Sequence, residues 1–106
     1  MAAINSRGQI EQIVKAYVSL LQHEINVKNI YLYGSSINGS FTEDSDIDLA
    51  VIAEDFTGDV IEDRFKLMKL RRNIDYRIEP HPFLTNDFNE SNPLAKEIMD
   101  TGVKII

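Results

Sequence analysis

A chain of 106 residues with a formal net charge of −6 and no cysteine predicts one domain, 1–106, with room for a single modest core. The acidic balance and the lack of any block of basic residues disfavour general nucleic-acid binding, and the missing thiols exclude disulfides, zinc–thiolate sites and thiol catalysis. No basic segment followed by an apolar stretch opens the chain, and the longest strand-like apolar run, Leu49 to Ala53, is far too short to cross a bilayer. A cytoplasmic location without a membrane partner is therefore expected.

In chain order, Ile10, Ile13, Val14, Tyr17, Val18 and Leu21 recur at helical spacing and predict a helix over Arg7 to Glu24, with Ser6 as its cap and Gln9 three residues on. Val27 to Tyr33 is rich in β-formers and stops at Gly34, so it reads as a strand. Gly34-Ser35-Ser36 turns the chain, and Ile37 to Phe41 reads as a short helix or turn. Asp46 to Ala53 alternates and then becomes continuously apolar, the pattern of a central strand. Thr57 or Asp59 starts the next helix, running to about Arg72, with Val60, Ile61, Phe65, Met68 and Leu67 as its expected buried stripe. Asn73 to Glu79 reads as a third strand, after which Pro80 and Pro82 are expected to prevent ladder pairing. Phe83 to Asn92 reads as a polar loop anchored by Phe83, Leu84 and Phe88. Asn92-Pro93 is an N-cap followed by proline at the first helical position, Gly102 stops that helix, and Val103 to Ile106 form a last short strand. The sum is an α/β sandwich with a small mixed sheet.

The chemistry concentrates between Tyr33 and Ile52. Asp46 and Asp48 lie two apart on a predicted strand, so both carboxylates point to one face, roughly 6–7 Å apart along it. Two ionised carboxylates facing one spot repel, and a cation between them relieves the repulsion. Hard oxygen ligands in this number suit magnesium, which keeps waters and completes its shell with substrate phosphates. Gly34, Ser35 and Ser36 follow a strand and open a turn: a glycine lets the backbone approach a phosphate, and exposed amides with the Ser35 hydroxyl donate to its oxygens. Gly34-Ser35 alone would be a plain turn, and it gains weight from its neighbours. A third carboxylate completes a two-metal site. Asp75, on the predicted third strand between apolar neighbours, is the first candidate, with a structural ion pair to Arg77 or Arg72 as the competing role. Glu79, four residues on and on the same face, is the runner-up. His81, between two prolines, reads as a loop residue, and His23, near a helix C-terminus, suits the helix dipole.

Gly34-Ser35, ten intervening residues and then Asp46-Ile47-Asp48 resembles the signature of the polymerase β-type nucleotidyltransferase superfamily, and the element order resembles its minimal members. The resemblance implies that Gly34 and Ser35 bind a triphosphate, that Asp46 and Asp48 ligate both of two magnesium ions, and that Asp75 ligates the ion that activates the acceptor hydroxyl. It implies a nucleoside triphosphate as donor, ATP with transfer of AMP as the first expectation. It also implies a partner: freestanding minimal members resemble the antitoxin of a two-gene pair whose toxin is a helical HEPN-type ribonuclease, silenced by adenylylation of a tyrosine. The chain departs from the common pattern in placing Arg77, Glu79 and Pro80-His81-Pro82 after Asp75. Two other readings stand beside the enzyme. One is an interaction module that neutralises a partner by binding, with weak chemistry or none. The other is a small-molecule nucleotidyltransferase that recruits its missing second domain.

Overall fold

The computed structural model describes residues 7–34 and 45–106. In chain order the elements are α1 (Arg7–Glu24), β1 (Val27–Tyr33), β2 (Ile47–Ala53), α2 (Val60–Leu70), β3 (Ile78–Leu84), α3 (Pro93–Thr101) and β4 (Val103–Lys104), with short 3₁₀ turns at Arg71–Asn73 and Thr85–Asp87. The sheet order is β3-β2-β1-β4. β1 runs antiparallel to β2 and β4, while β2 and β3 are parallel, joined through α2. The expected α/β fold with a mixed sheet is the observed one. The expected turn over Ile37 to Phe41 lies outside the described residues.

One sheet face carries the main core. Ile30, Leu32, Ile47, Leu49, Val51, Ala53 and Ile78 pack there against Ile10, Val14, Tyr17, Val18 and Leu21 of α1 and Leu67 of α2. The Tyr17 hydroxyl, at the centre of this layer, donates to the Leu67 carbonyl at 2.7 Å. That bond ties the two helices together and satisfies an otherwise buried polar group. On the other face a smaller cluster of Ala50, Ile52 and Ile98, with Tyr31, Tyr33, Phe83 and Phe88 around it, seats α3 over part of the sheet. The N-cap of α3 is Asn92, whose side chain accepts from the Leu94 and Ala95 amides. Among the described residues no helix is long and apolar enough to cross a membrane.

Two expectations fail. The third strand is Ile78–Leu84, not Asn73 to Glu79, and it contains both prolines. β3 is an edge strand, and along a parallel strand successive residues alternate between pairing inward and facing outward. The Ile47 amide donates to the Arg77 carbonyl at 2.7 Å, and the Arg71 guanidinium donates to the Ile78 carbonyl at 2.7 Å. Residues 77, 79 and 81 therefore face β2, and residues 78, 80 and 82 face the open edge, where a proline costs no ladder bond. The two prolines also deprive that edge of donors for a further strand.

The second failure is the face of α2. Its buried residues are Asp63 and Leu67, while Val60, Ile61 and Phe65 are exposed, Ile61 to 82%. Asp63 sets this rotation. Its carboxylate accepts from the Thr57 amide and hydroxyl, both at 2.9 Å, and from the Gly58 amide at 3.1 Å. A carboxylate with three donors is cheap to bury. Asp59 caps the helix by accepting from the Ile61 and Glu62 amides.

Candidate active site

β2 presents Ile47 and Leu49, fully buried, to the main core, so alternation turns Asp48 to the other face. Inter-strand register then builds a row across three strands, because paired residues share a face. Tyr33 of β1 pairs with Asp48, and Asp48 pairs with Glu79 of β3. In the row behind it Tyr31, Ala50 and His81 are paired in the same way. Asp46 lies at the entrance of β2 and is exposed.

Gly34 closes the front of this row. Its φ is +79°, and a Cβ placed on it would stand 2.5 Å from Asp48 Oδ2. Both the left-handed backbone and the pressed carboxylate demand glycine. The turn after β1 and the carboxylate of β2 are thus in contact. Ser35 and Ser36 lie outside the described residues.

The electrostatics are those of crowded acids. Burial pushes the Asp48 carboxyl above its usual range; the His81 ring opposes this, while the charges of Asp46 and Glu79 add to it. His81 Nε2 stands 3.6 Å from Asp48 Oδ1, and its ring leans on Tyr33 at 5.8 Å between centroids. Burial, together with the nearby Asp48 charge, also pushes the Tyr33 phenol up, partly offset by Arg64.

Glu79 is held by two arginines of the α2 region: Arg64 donates to Oε1 at 2.6 Å and Arg71 to Oε2 at 3.3 Å. Arg64 also lines a cleft of about 520 Å³ with His81, Phe83, Asn86, Asn92 and Leu94.

Asp75 lies in the turn before β3, not on a strand. Its carboxylate accepts from the Arg77 backbone amide at 2.8 Å, from Nε at 3.1 Å and from a terminal nitrogen at 3.0 Å. The side-chain bonds from Arg77 hold the Asp75 carboxyl below its usual range, against a smaller opposing effect of burial. Local pairing of this kind shapes the entry into β3.

Whether magnesium suits these residues depends on how many ligands it needs from the protein. Magnesium takes one or two carboxylates and fills the rest of its shell with water and phosphate. Asp46 and Asp48 meet that demand, and a cation would relieve the strain that lifts the Asp48 carboxyl. A third protein ligand is not in place: among the described residues no three His, Cys, Asp or Glu side chains converge on a metal-sized point. Glu79 has the register for it, but its oxygens are occupied by arginine.

Glu79 is visible in the sequence only as a runner-up, and Arg64, Arg71 and His81 were missed as site residues. Alternate prolines flanking Glu79-Pro80-His81-Pro82 carry a signal, since prolines two apart fit an edge strand that presents the residues between them. The pairing of Asp48 with Glu79 rests on register between strands, which no local pattern reveals.

The likeness to known proteins agrees with this geometry. The family model for polymerase β-type nucleotidyltransferases, described as "Polymerase beta, Nucleotidyltransferase", matches residues 11–106. The fold is similar to that of a Sulfolobus solfataricus protein solved at 1.40 Å and described as a candidate nucleotidyltransferase. The TM-score is 0.67 and the identity 19%, over 98% of this chain and 86% of that one. Among curated proteins none matches the chain. With nearly the whole sequence inside the family match, and with Asp48 set against the Gly34 turn, the chain belongs to the polymerase β-type nucleotidyltransferase family.

Proposed function

We propose that this domain moves a nucleoside monophosphate, AMP from ATP, to an acceptor hydroxyl in a magnesium-dependent reaction in the cytoplasm. The observation that carries the reading is the contact between Asp48 and the Gly34 turn, with Asp46 at the strand entrance beside it. Asp46 and Asp48 would hold magnesium, and the Gly34-Ser35-Ser36 turn would bring backbone donors to the triphosphate. Glu79 is the better third carboxylate than Asp75, because register sets it beside Asp48 while Asp75 is spent on Arg77. Bound magnesium supplies charge neutralisation on the phosphates and a lowered barrier to deprotonating the acceptor. The chain's own residues position the donor and, through Glu79 and His81, surround the Asp48 carboxylate. Calorimetric titration with ATP and magnesium tests this. Binding by wild type that is lost in Asp46→Asn/Asp48→Asn supports it, and binding indifferent to both substitutions defeats it.

The acceptor on this reading is a tyrosine of a helical HEPN-type partner, as the resemblance implies. A second reading, in which the domain neutralises that partner by binding alone, draws support from the exposed apolar residues Val60, Ile61 and Phe65 on α2. Neutralisation retained by Asp46→Asn/Asp48→Asn favours binding, and neutralisation lost with them favours chemistry. A mass gain of one adenylate on the partner identifies the acceptor directly.

A further inference from the structure

The outward side of α2 is apolar where a solvent-facing helix surface is ordinarily polar. Ile61, Phe65 and Met68 follow one another at helical spacing, and Ile61 and Phe65 are 82% and 59% exposed. Tyr76, also exposed, extends the patch beyond the end of the helix. Phe65 lines two open hollows, one of about 620 Å³ with Val60, Ile61 and Met68 and one of about 210 Å³ with Met68 and Tyr76. An apolar patch with a polar rim marks a surface for another protein, and the rim carries the information about which one. Glu62 and Lys69 stand two helical turns apart, within about 20° of each other on one flank of the patch. Among the described residues neither has an ion-pair partner. The Lys69 ammonium instead lies over the Phe65 ring, 5.2 Å from its centroid. An acid at the start of a flank and a base at its end form a pattern complementary to its own reverse.

We propose that a second copy of this chain docks on the exposed face of α2, with the two α2 helices antiparallel about a two-fold axis beside Phe65. That arrangement sets Glu62 of each copy against Lys69 of the other, twice by symmetry. A parallel pairing would set Glu62 against Glu62 and Lys69 against Lys69, so charge selects the direction. The antiparallel direction also lays opposed helix dipoles side by side. Each Phe65 then faces the hollows that flank its counterpart. The surface is small: the 11 residues of α2 span about 16 Å, whereas stable interfaces bury about 800 Å² per partner. Two chains of net charge −6 also repel one another until salt screens them, beyond about 10 Å at 0.1 M. A weak dimer follows, with a dissociation constant on the order of 0.1 mM at physiological salt and weaker at low salt. Docking of this kind does not require nucleotidyl transfer.

Sedimentation equilibrium of the full chain, from about 10 µM to about 1 mM, reads the association. Wild type is expected to pass from monomer to dimer over that range, and Phe65→Ser to stay monomeric. Glu62→Lys and Lys69→Glu each turn two opposite-charge pairs into like-charge pairs and are expected to weaken the dimer about fivefold or more. Glu62→Lys/Lys69→Glu makes the pairs opposite again and is expected to return to within about twofold of wild type. An equimolar mixture of the two single variants is expected to form the mixed dimer in preference to either homodimer, a result that poor folding of a variant cannot produce. A wild type still monomeric at about 1 mM overturns the proposal and leaves the patch to a different protein, such as the helical partner of the binding reading. A dimer that survives Phe65→Ser, or that ignores both charge reversals, overturns it as well, because the copies then meet on another face or in another direction.

Discussion

Leu49 and Asp48 are adjacent on β2, yet they live in different solvents. Leu49 points into a layer built of hydrophobic side chains from α1, α2 and the flanking strands, with the Tyr17 hydroxyl satisfied by the Leu67 carbonyl. Asp48 points to the other face, where Tyr33 and Glu79 share its row and His81 stands in the row behind, three titratable groups beside a cleft. The first face gains stability from burial, and the second gives some up: an acid whose pKa is raised by burial is held in a place its charge disfavours. One sheet thus separates scaffold from chemistry by the parity of its residues, and stability on the first face underwrites the strain on the second.

The largest effect expected from breaking this contrast is on the scaffold side. Leu49→Ala leaves a cavity in a fully buried layer and should cost about 2–5 kcal/mol in urea or guanidinium unfolding. A loss well below 1 kcal/mol would mean that the layer collapses to fill the gap and that the core face is not the rigid one.

Next comes the boundary itself. Gly34→Ala must hold a side chain at a φ of +79° with its Cβ 2.5 Å from Asp48 Oδ2, and a cost of about 1–3 kcal/mol is expected. The two parts of that cost separate in a double mutant. Combining it with Asp48→Ala should recover the steric part and leave the backbone part. Strict additivity would show that the turn and the carboxylate do not touch in solution.

Both faces were legible in the sequence to different depths. α1, β1, β2 and α3 declare themselves through apolar period and capping residues, all local in the chain. The contact of Asp48 with the Gly34 turn is what the resemblance of Gly34-Ser35 and Asp46-Ile47-Asp48 to the family signature implies. What stayed hidden depends on strand order, on register between strands and on which side-chain hydrogen bonds form, none of which the apolar period carries. β3 accepts Pro80 and Pro82 because it is an edge strand, which only the crossover through α2 decides. α2 turns Ile61 and Phe65 outward because Thr57 and Gly58 give Asp63 three donors. Register sets Glu79 beside Asp48, and a local turn gives Asp75 to Arg77.

A smaller effect sharpens the contrast through pH. The Asp48 carboxyl is raised, mainly by burial. The native state therefore binds its proton more tightly than the unfolded chain does, and this group favours folding more as pH falls from above its raised value toward the ordinary 3.8. Asp75 is the reverse case. Its carboxyl is lowered, mainly by the side-chain bonds from Arg77, so its contribution is present above the ordinary value and is lost as pH falls through the folded one. Asp48→Asn should accordingly be neutral or stabilising near pH 7, with its advantage shrinking in acid. Asp75→Asn should be destabilising near pH 7, with its deficit closing in acid. Denaturant unfolding at both ends of the range reads the two signs, and parallel pH dependences for the two variants would contradict the assignment of strain to one and shaping to the other.

The smallest effect concerns a surface that resembles core by composition alone. Ile61 is apolar and helical, yet 82% exposed, so Ile61→Glu removes almost no buried area and adds an acid near the favourable end of the helix dipole. Its stability change should stay within about 0.5 kcal/mol. That near-silence is what makes the variant useful. A domain as stable as wild type that binds ATP and magnesium normally but fails to neutralise the proposed HEPN-type partner would place that interaction on α2, remote in function from the acidic row. Normal neutralisation by the same variant would leave the exposed stripe without a role in that interaction and return the weight to the carboxylates.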